Sequence, residues 1–335
     1  MKAITLDQST EEKINYTEIQ TRMLNPGEVR ILIKAAALNH RDEWCRQGLY
    51  PNLKDGIILG SDGAGIITEL GEGVNPDFLG KEVIINPALN WGQNQKAQGS
   101  DFEILGMPNH GTLAESIIVP VDRVHSKPNH LSWEEAAALP LAGLTAYRAV
   151  SYQGQLQKGE TLLVTGFGGG VAQFAAQFGL ALGAKLYVSS SNPAKIEKAL
   201  ELGAIKGFNY QDHNWISQAQ ESVGGFDLII DSAAGDTLNH LVQVVKPGGK
   251  IVFFGATLGN PSKLEARKIF WNQIKIIGTT MGSDEDFKGM LDLVKNHKIK
   301  PLVDSVFTFD KAVEAFNRMR DGKQLGKIVL VPQTS

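Results

Sequence analysis

One cysteine, Cys45, is all that this 335-residue chain contains. A single thiol excludes an intrachain disulfide and any metal site built on two or more cysteines. It fits a reducing, cytoplasmic setting. No run of roughly eighteen apolar residues is present that could span a bilayer. The N-terminus, MKAITLDQSTEEK, lacks the apolar stretch of a secretory leader. Lysine and arginine form no cluster and the formal net charge is −3, so nucleic acid and anionic membranes are poor partners. The seven histidines are scattered without metal-ligand spacing, and no Ser-His-Asp arrangement can be inferred from them.

What is abundant is glycine, 36 residues of it, in a chain that is otherwise 42% hydrophobic and 21% charged. That composition suits a soluble α/β protein with many strand-to-helix turns, and the length suggests two domains. The first third reads as short strands cut by turns: Val29–Leu38, glycine-broken apolar segments over Gly56–Val74, and Lys81–Pro87. A polar, irregular insert follows at Ala88–Gly111, of a length that is functional or flexible in compact domains. Ser132, with Glu135 three residues on, opens a helical stretch as a capping pair.

From Thr161 onward the pattern alternates strand and helix. Thr161–Thr165, Lys185–Ser189, Phe226–Asp231 and Lys250–Ala256 are apolar strand segments separated by helical ones. This spacing predicts a doubly wound parallel sheet of the Rossmann type. The first strand runs into Gly166-Phe167-Gly168-Gly169-Gly170-Val171-Ala172, which opens a helix. Glycines there permit a tight turn and let backbone N–H groups approach a pyrophosphate at the positive helix end. The second strand ends in Ser189-Ser190-Ser191-Asn192, with Lys195 beyond, where an NAD-preferring fold carries Asp or Glu. Hydroxyl donors and a cation suit a 2′-phosphate, which predicts NADP(H), although a polar loop with a capping serine before Pro193 gives the same residues.

These residues resemble the medium-chain dehydrogenase/reductase superfamily. The likeness is nearest to its zinc-lacking, quinone-oxidoreductase-like branch, which includes proteins labelled zinc-type alcohol dehydrogenase-like. It covers nearly the whole chain and rests on Ala37–Pro51, Leu59–Val74, Ala136–Ala149, the glycine loop and the closing GKIVLV. It implies an α/β fold with a Rossmann domain, residues 126–263, inserted in a GroES-like β-rich catalytic domain, residues 1–125 and 264–335. It also implies a homodimer pairing Rossmann sheet edges. Positions that carry catalytic zinc ligands in relatives hold Asn39, Ser61-Asp62 and Leu141 here, and the four cysteines of a structural zinc are missing from Ala88–Gly111. No metal is therefore expected, since zinc needs three protein ligands.

Without a Lewis acid, oxidation of a simple alcohol loses several kcal/mol of assistance. The expected reaction is instead hydride transfer from NADPH to a quinone or an α,β-unsaturated carbonyl. A zinc-type alcohol dehydrogenase and a non-enzymatic NADPH binder are the alternatives. By resemblance, Asn39 and Tyr50 lie near the nicotinamide, while Trp44 replaces a tyrosine found in some relatives. Tyr50 either donates a proton or merely closes a turn with Pro51. Thr145 and the pair Phe254–Gly255 are expected beside the cofactor, with a backbone-bonded helix threonine and a sheet-core phenylalanine as the plainer readings. Arg41 is expected to pair with Asp42 or Asp62, or to face a phosphate. Cys45 reads as a small buried hydrophobe.

Overall fold

A computed structural model describes residues 1–333. The chain divides into two compact units, one formed by Met1–Ala142 with Ser283 onward, the other by Gly143–Gly282. Both divisions fall later in the chain than the expected 125/126 and 263/264. The helix Trp133–Ala138 packs on Glu28–Ala37 and Asp62–Leu70 of the first unit. The strand Lys275–Gly278 pairs into the sheet of the second. Thr334 and Ser335, the end of the expected catalytic range, lie outside the described residues.

The first unit is built on a seven-stranded sheet. Its path runs Val303–Thr308, Lys327–Val331, Glu28–Ala37, Asp62–Leu70, Glu82–Ile85 and Val124–Ser126, with Ser116–Pro120 also paired to Glu28–Ala37. Every pairing is antiparallel except that of Val303–Thr308 with Lys327–Val331. Alternate residues of the central strand, Val29, Ile31 and Ile33, are buried in a core with Leu6, Leu113, Phe309 and Phe316. Ser132 accepts from Glu135 N–H at 3.2 Å and Glu135 accepts from Ser132 N–H at 2.9 Å, the reciprocal pair expected at that helix start. The helix does not run on unbroken: Pro140 opens a separate helix, Pro140–Tyr147, because it has no N–H for the preceding turn.

Six parallel strands form the sheet of the second unit, in the order Lys206–Asn209, Lys185–Ser190, Thr161–Val164, Phe226–Asp231, Val245–Phe253, Lys275–Gly278. The order reverses beside Thr161–Val164, the switch point at which open α/β sheets bind ligands beyond their carboxyl ends. Thr161–Val164 is buried at every residue, as a parallel strand covered on both faces must be. Among the described residues, no helix is long and apolar enough to cross a membrane.

Candidate active site

In the second unit, the chain leaves Val164 and enters the helix Gly170–Ala181 through the glycine loop. No side chain caps this helix at Gly169, which leaves the first-turn N–H groups for an anion. Gly168 has φ +130°, and a Cβ there would lie 2.5 Å from Lys195 Cδ. The positive φ is a backbone conformation that glycine adopts without strain. The Lys195 side chain thus lies against Gly168 of the glycine loop. Phe167 N–H donates to Ser189 O at 2.9 Å, tying the loop to the neighbouring strand end.

The serines divide the work. Ser189 and Ser190 are buried and Ser190 Oγ accepts from Asn192 N–H at 3.3 Å, while Ser191 is partly open. Asn192 caps the next helix through Ala194 N–H at 2.9 Å, so the capping side chain before Pro193 is an asparagine and not a serine. Val171 is half-buried in the first helical turn, and Thr145 is buried, its hydroxyl 4.0 Å from Met281 Sδ. Phe254 and Gly255 follow the strand Val245–Phe253, at the carboxyl end of the sheet, and Phe254 N–H donates to Asp231 O at 3.1 Å. A Cβ on Gly255 would lie 2.9 Å from Ser232 O. Sequence reasoning gave no role to Asp231, whose carboxylate receives Thr165 Oγ1 at 2.5 Å and the N–H groups of Ala233 and Ala234 at 3.1 and 2.8 Å. It holds the start of the glycine loop to the next strand end. A lone carboxylate closing an apolar parallel strand was the available signal.

In the first unit, Asn39 precedes the helix His40–Arg46. Its Nδ2 donates to Asp62 Oδ2 at 2.9 Å, and its Oδ1 accepts from Lys327 Nζ at 2.5 Å. Lys327 Nζ also donates to Asp62 Oδ2 at 2.9 Å, with side-chain exposures of 3% and 0% for the two ions. Asp62 Oδ1 accepts Leu141 N–H at 2.7 Å. Beside this group, Asp42 accepts the N–H of Asn39 at 2.8 Å and of Gly60 at 3.2 Å. Burial pushes the Asp42 carboxyl above its ordinary range, against the pull of Arg41, Asn39 N–H and Lys327.

Arg41 does not form the expected ion pair with Asp42 or Asp62. Its guanidinium donates to Ser61 Oγ and Leu105 O at 2.7 Å each and to Met107 O at 3.0 Å, and lies 4.8 Å from the Tyr50 ring centre. Neighbours one apart on a helix face different ways, and the carbonyls of the 88–111 segment need donors. Arg41 Nε also donates to Tyr50 Oη at 3.3 Å, so the phenol keeps its own hydrogen for another acceptor. Asn39 and Tyr50 thus belong to two separate hydrogen-bonded groups, one with Lys327 and Asp62 and the other with Arg41, Ser61 and the carbonyls of Leu105 and Met107. Trp44, 37% exposed, contacts only the ring of His40 among the aromatic rings of the described residues, at 6.4 Å.

Two family descriptions match the chain: an alcohol dehydrogenase GroES-like domain over residues 25–129 and a zinc-binding dehydrogenase over 170–296. A protein from Leptosphaeria maculans named zinc-type alcohol dehydrogenase-like protein YogA is 37% identical, over 91% of this chain and 90% of its own. The chain belongs to the medium-chain dehydrogenase/reductase superfamily. An acryloyl-coenzyme A reductase from Sulfurisphaera tokodaii is 29% identical over 99% of this chain and 100% of its own. The crystal structure of an NAD-dependent alcohol dehydrogenase superimposes with a TM-score of 0.94 at 32% identity, covering 99% of this chain and 100% of that one. This medium-chain dehydrogenase/reductase is thus an oxidoreductase that uses a nicotinamide cofactor, and the glycine loop and uncapped helix start fit the dinucleotide.

Zinc does not fit. The amide of Asn39 is committed to Lys327 and Asp62, Asp62 is occupied by Lys327, Asn39 and Leu141 N–H, and the side chain of Leu141 has no donor atom. An ammonium among these groups repels a dication, and catalytic zinc needs three protein ligands. Among the described residues, no three His, Cys, Asp or Glu side chains group as metal ligands. The 88–111 segment is held by other means: the strands Ala88–Leu89 and Glu103–Ile104 pair, and Trp91 packs edge-on against Phe102 at 5.3 Å. The segment is not wholly irregular, as sequence suggested. Lys327 is the residue that sequence reasoning passed over; a lysine opening the apolar strand KIVLV was its only signal.

Proposed function

We propose that this protein is an NADPH-dependent oxidoreductase that reduces a quinone or the C=C bond of an α,β-unsaturated carbonyl without a metal. The observation that carries this reading is the buried Lys327–Asp62–Asn39 group in place of a zinc ligand set. It supplies an oriented hydrogen-bond donor but no Lewis acid for an alcohol oxygen, so an acceptor already activated by conjugation suits it best. The name of the acryloyl-coenzyme A reductase, a relative of full length, supports the same class of acceptor.

Bound NADPH supplies the hydride. The N–H groups of Gly168 and Gly170 and the helix start would hold the pyrophosphate, and Ser191 and Lys195 would hold the 2′-phosphate, with Ser189 and Ser190 shaping that turn. The reduction would leave charge on the carbonyl oxygen of the acceptor, to which Asn39 Nδ2–H would donate. Tyr50 then gives its hydrogen to the reduced acceptor and is reprotonated from water, while Trp44 offers an aromatic wall. Loss of such a proton donor costs roughly 10²- to 10⁴-fold.

The test is NADPH oxidation with 2-cyclohexenone, crotonaldehyde and 1,4-naphthoquinone, for the wild type and Tyr50→Phe, alongside metal analysis of the purified protein. Turnover that falls in Tyr50→Phe supports the reading. Stoichiometric zinc with alcohol oxidation assigns the chain to the metal-dependent branch instead, and tight NADPH binding without turnover makes it a cofactor-binding protein.

The chain is further proposed to act as a homodimer through the Lys275–Gly278 sheet edge. Phe270 and Trp271, just before that edge, are 67% and 78% exposed, large apolar surfaces for a monomer to leave in water. Light scattering of Trp271→Glu against the wild type tests it: a dimer that becomes monomeric supports the surface, and a monomeric wild type removes it.

A further inference from the structure

Three strand ends meet at one corner of the antiparallel sheet. Ala37 is paired with Asp62 on one side and Val329 on the other, so two residues further on Asn39 comes level with Lys327. The three side chains close a ring of hydrogen bonds: Lys327 Nζ to Asn39 Oδ1, Lys327 Nζ to Asp62 Oδ2, and Asn39 Nδ2 to the same Oδ2. This ring decides which way the amide faces. An ammonium only donates, so it must meet Oδ1; a carboxylate only accepts, so it must meet Nδ2. One Nδ2 hydrogen is then left over, pointing in a direction that the amide plane dictates.

The ammonium also alters that hydrogen. A cation bonded to an amide oxygen draws electron density from the nitrogen and strengthens its N–H as a donor, and hydrogen bonds in a chain polarise one another in this way. With Lys327 and Asp62 shut off from solvent, water does little to screen the effect.

We infer that Lys327 and Asp62 are positioning residues that act through Asn39 in place of a metal. Together they hold the amide in one orientation, and Lys327 polarises it, so that its remaining N–H is a fixed, strong donor to the oxygen that gains charge as the acceptor is reduced. The inference rests on the reading of the reaction given above. It differs from a purely structural role in one respect: the benefit of Lys327 must pass through Asn39.

The experiment compares kcat, KM and NADPH Kd for the wild type, Lys327→Met, Lys327→Arg, Asn39→Ala and Lys327→Met with Asn39→Ala, using whichever of the three acceptors the wild type reduces. Lys327→Met is expected to lower kcat by about 10- to 100-fold and leave the NADPH Kd unchanged, with Lys327→Arg restoring part of the loss. In the Asn39→Ala background it should cost nothing further. An equal loss in both backgrounds, or an unchanged kcat in Lys327→Met, overturns the proposal. Because Lys327→Met leaves a buried carboxylate unpaired, Lys327→Met with Asp62→Asn provides a neutral, foldable version; wild-type kcat in that protein also overturns it.

Side-chain amide NMR of 15N-labelled protein reads the clamp without any acceptor, the Asn39 pair being identified by its loss in Asn39→Ala. Two widely separated protons that move together in Lys327→Met support the clamp, and an unmoved pair overturns it. A wild type that reduces none of the acceptors defeats the reading of the reaction, and the amide spectrum then decides the clamp by itself.

Discussion

Replacing Lys327 with Met keeps most of the stem and removes the ammonium together with its hydrogen bonds to Asn39 Oδ1 and Asp62 Oδ2. Asp62 Oδ2 then loses the ammonium that lies 2.9 Å away, while its carboxylate stays fully buried with two neutral donors, Asn39 Nδ2 and Leu141 N–H. Breaking a buried ion pair from one side costs about 3–5 kcal/mol, because the remaining charge is left without compensation. The two donors that stay behind place the expected loss near the lower end, about 3 kcal/mol. For a unit of this size each kcal/mol moves Tm by roughly 2–4 °C, so the first unit should melt roughly 6–12 °C lower. Adding Asp62→Asn removes the stranded charge and should return stability to within about 1 kcal/mol of the wild type. Urea titrations followed by tryptophan fluorescence and near-ultraviolet circular dichroism measure both changes, with the slope of the transition unchanged. If the single variant is as stable as the wild type, or the double variant no more stable than the single, the ion pair does not contribute as its geometry demands.

Three further outcomes follow from other parts of the structure. Lys195→Ala should weaken NADPH binding by roughly 10- to 150-fold, the worth of one charged hydrogen bond, and leave NADH binding unchanged in a fluorescence titration; equal losses for both cofactors would remove the 2′-phosphate role. Cys45 is buried and its thiol is pushed up to about 12, chiefly by burial and then by Asp42, so at pH 8 it should ignore a thiol reagent such as Ellman's until the protein is unfolded; rapid labelling of the folded protein contradicts this. His125, 4.7 Å from the Phe287 ring, is pushed down to about 4, first by burial and then by Arg123. Its folded value lies below the unfolded one near 6.5, so stability is complete above pH 6.5 and falls as the pH drops toward 4, by about 2–3 kcal/mol more in the wild type than in His125→Phe. Thermal melts across that range check it, and identical pH dependence in the two proteins refutes it.

Much of the second unit was legible from the residues alone. Thr161–Thr165, the glycines and the apolar helix after them form one local run, and φ +130° at Gly168 is a local demand that only glycine meets without strain. The Ser132–Glu135 capping pair is equally local. Where sequence reasoning went astray, the deciding contact was distant or directional. Arg41 lies beside Asp42 in sequence, yet its guanidinium is taken by carbonyls of Leu105 and Met107, which no local pattern announces. The helix Trp133–Ala138 reads as the start of a helical, βαβ region but packs on the antiparallel sheet, which moves the boundary between the units.

The sequence by itself determined the α/β class and the strand–loop–helix run with its glycines, because each depends on residue type and short-range spacing. Only the tertiary structure decided what stands where relatives keep a metal. Lys327 is 288 residues from Asn39, and the two meet because antiparallel register brings the ends of adjacent strands level. Register is a property of paired strands, and a single strand read alone carries no record of it.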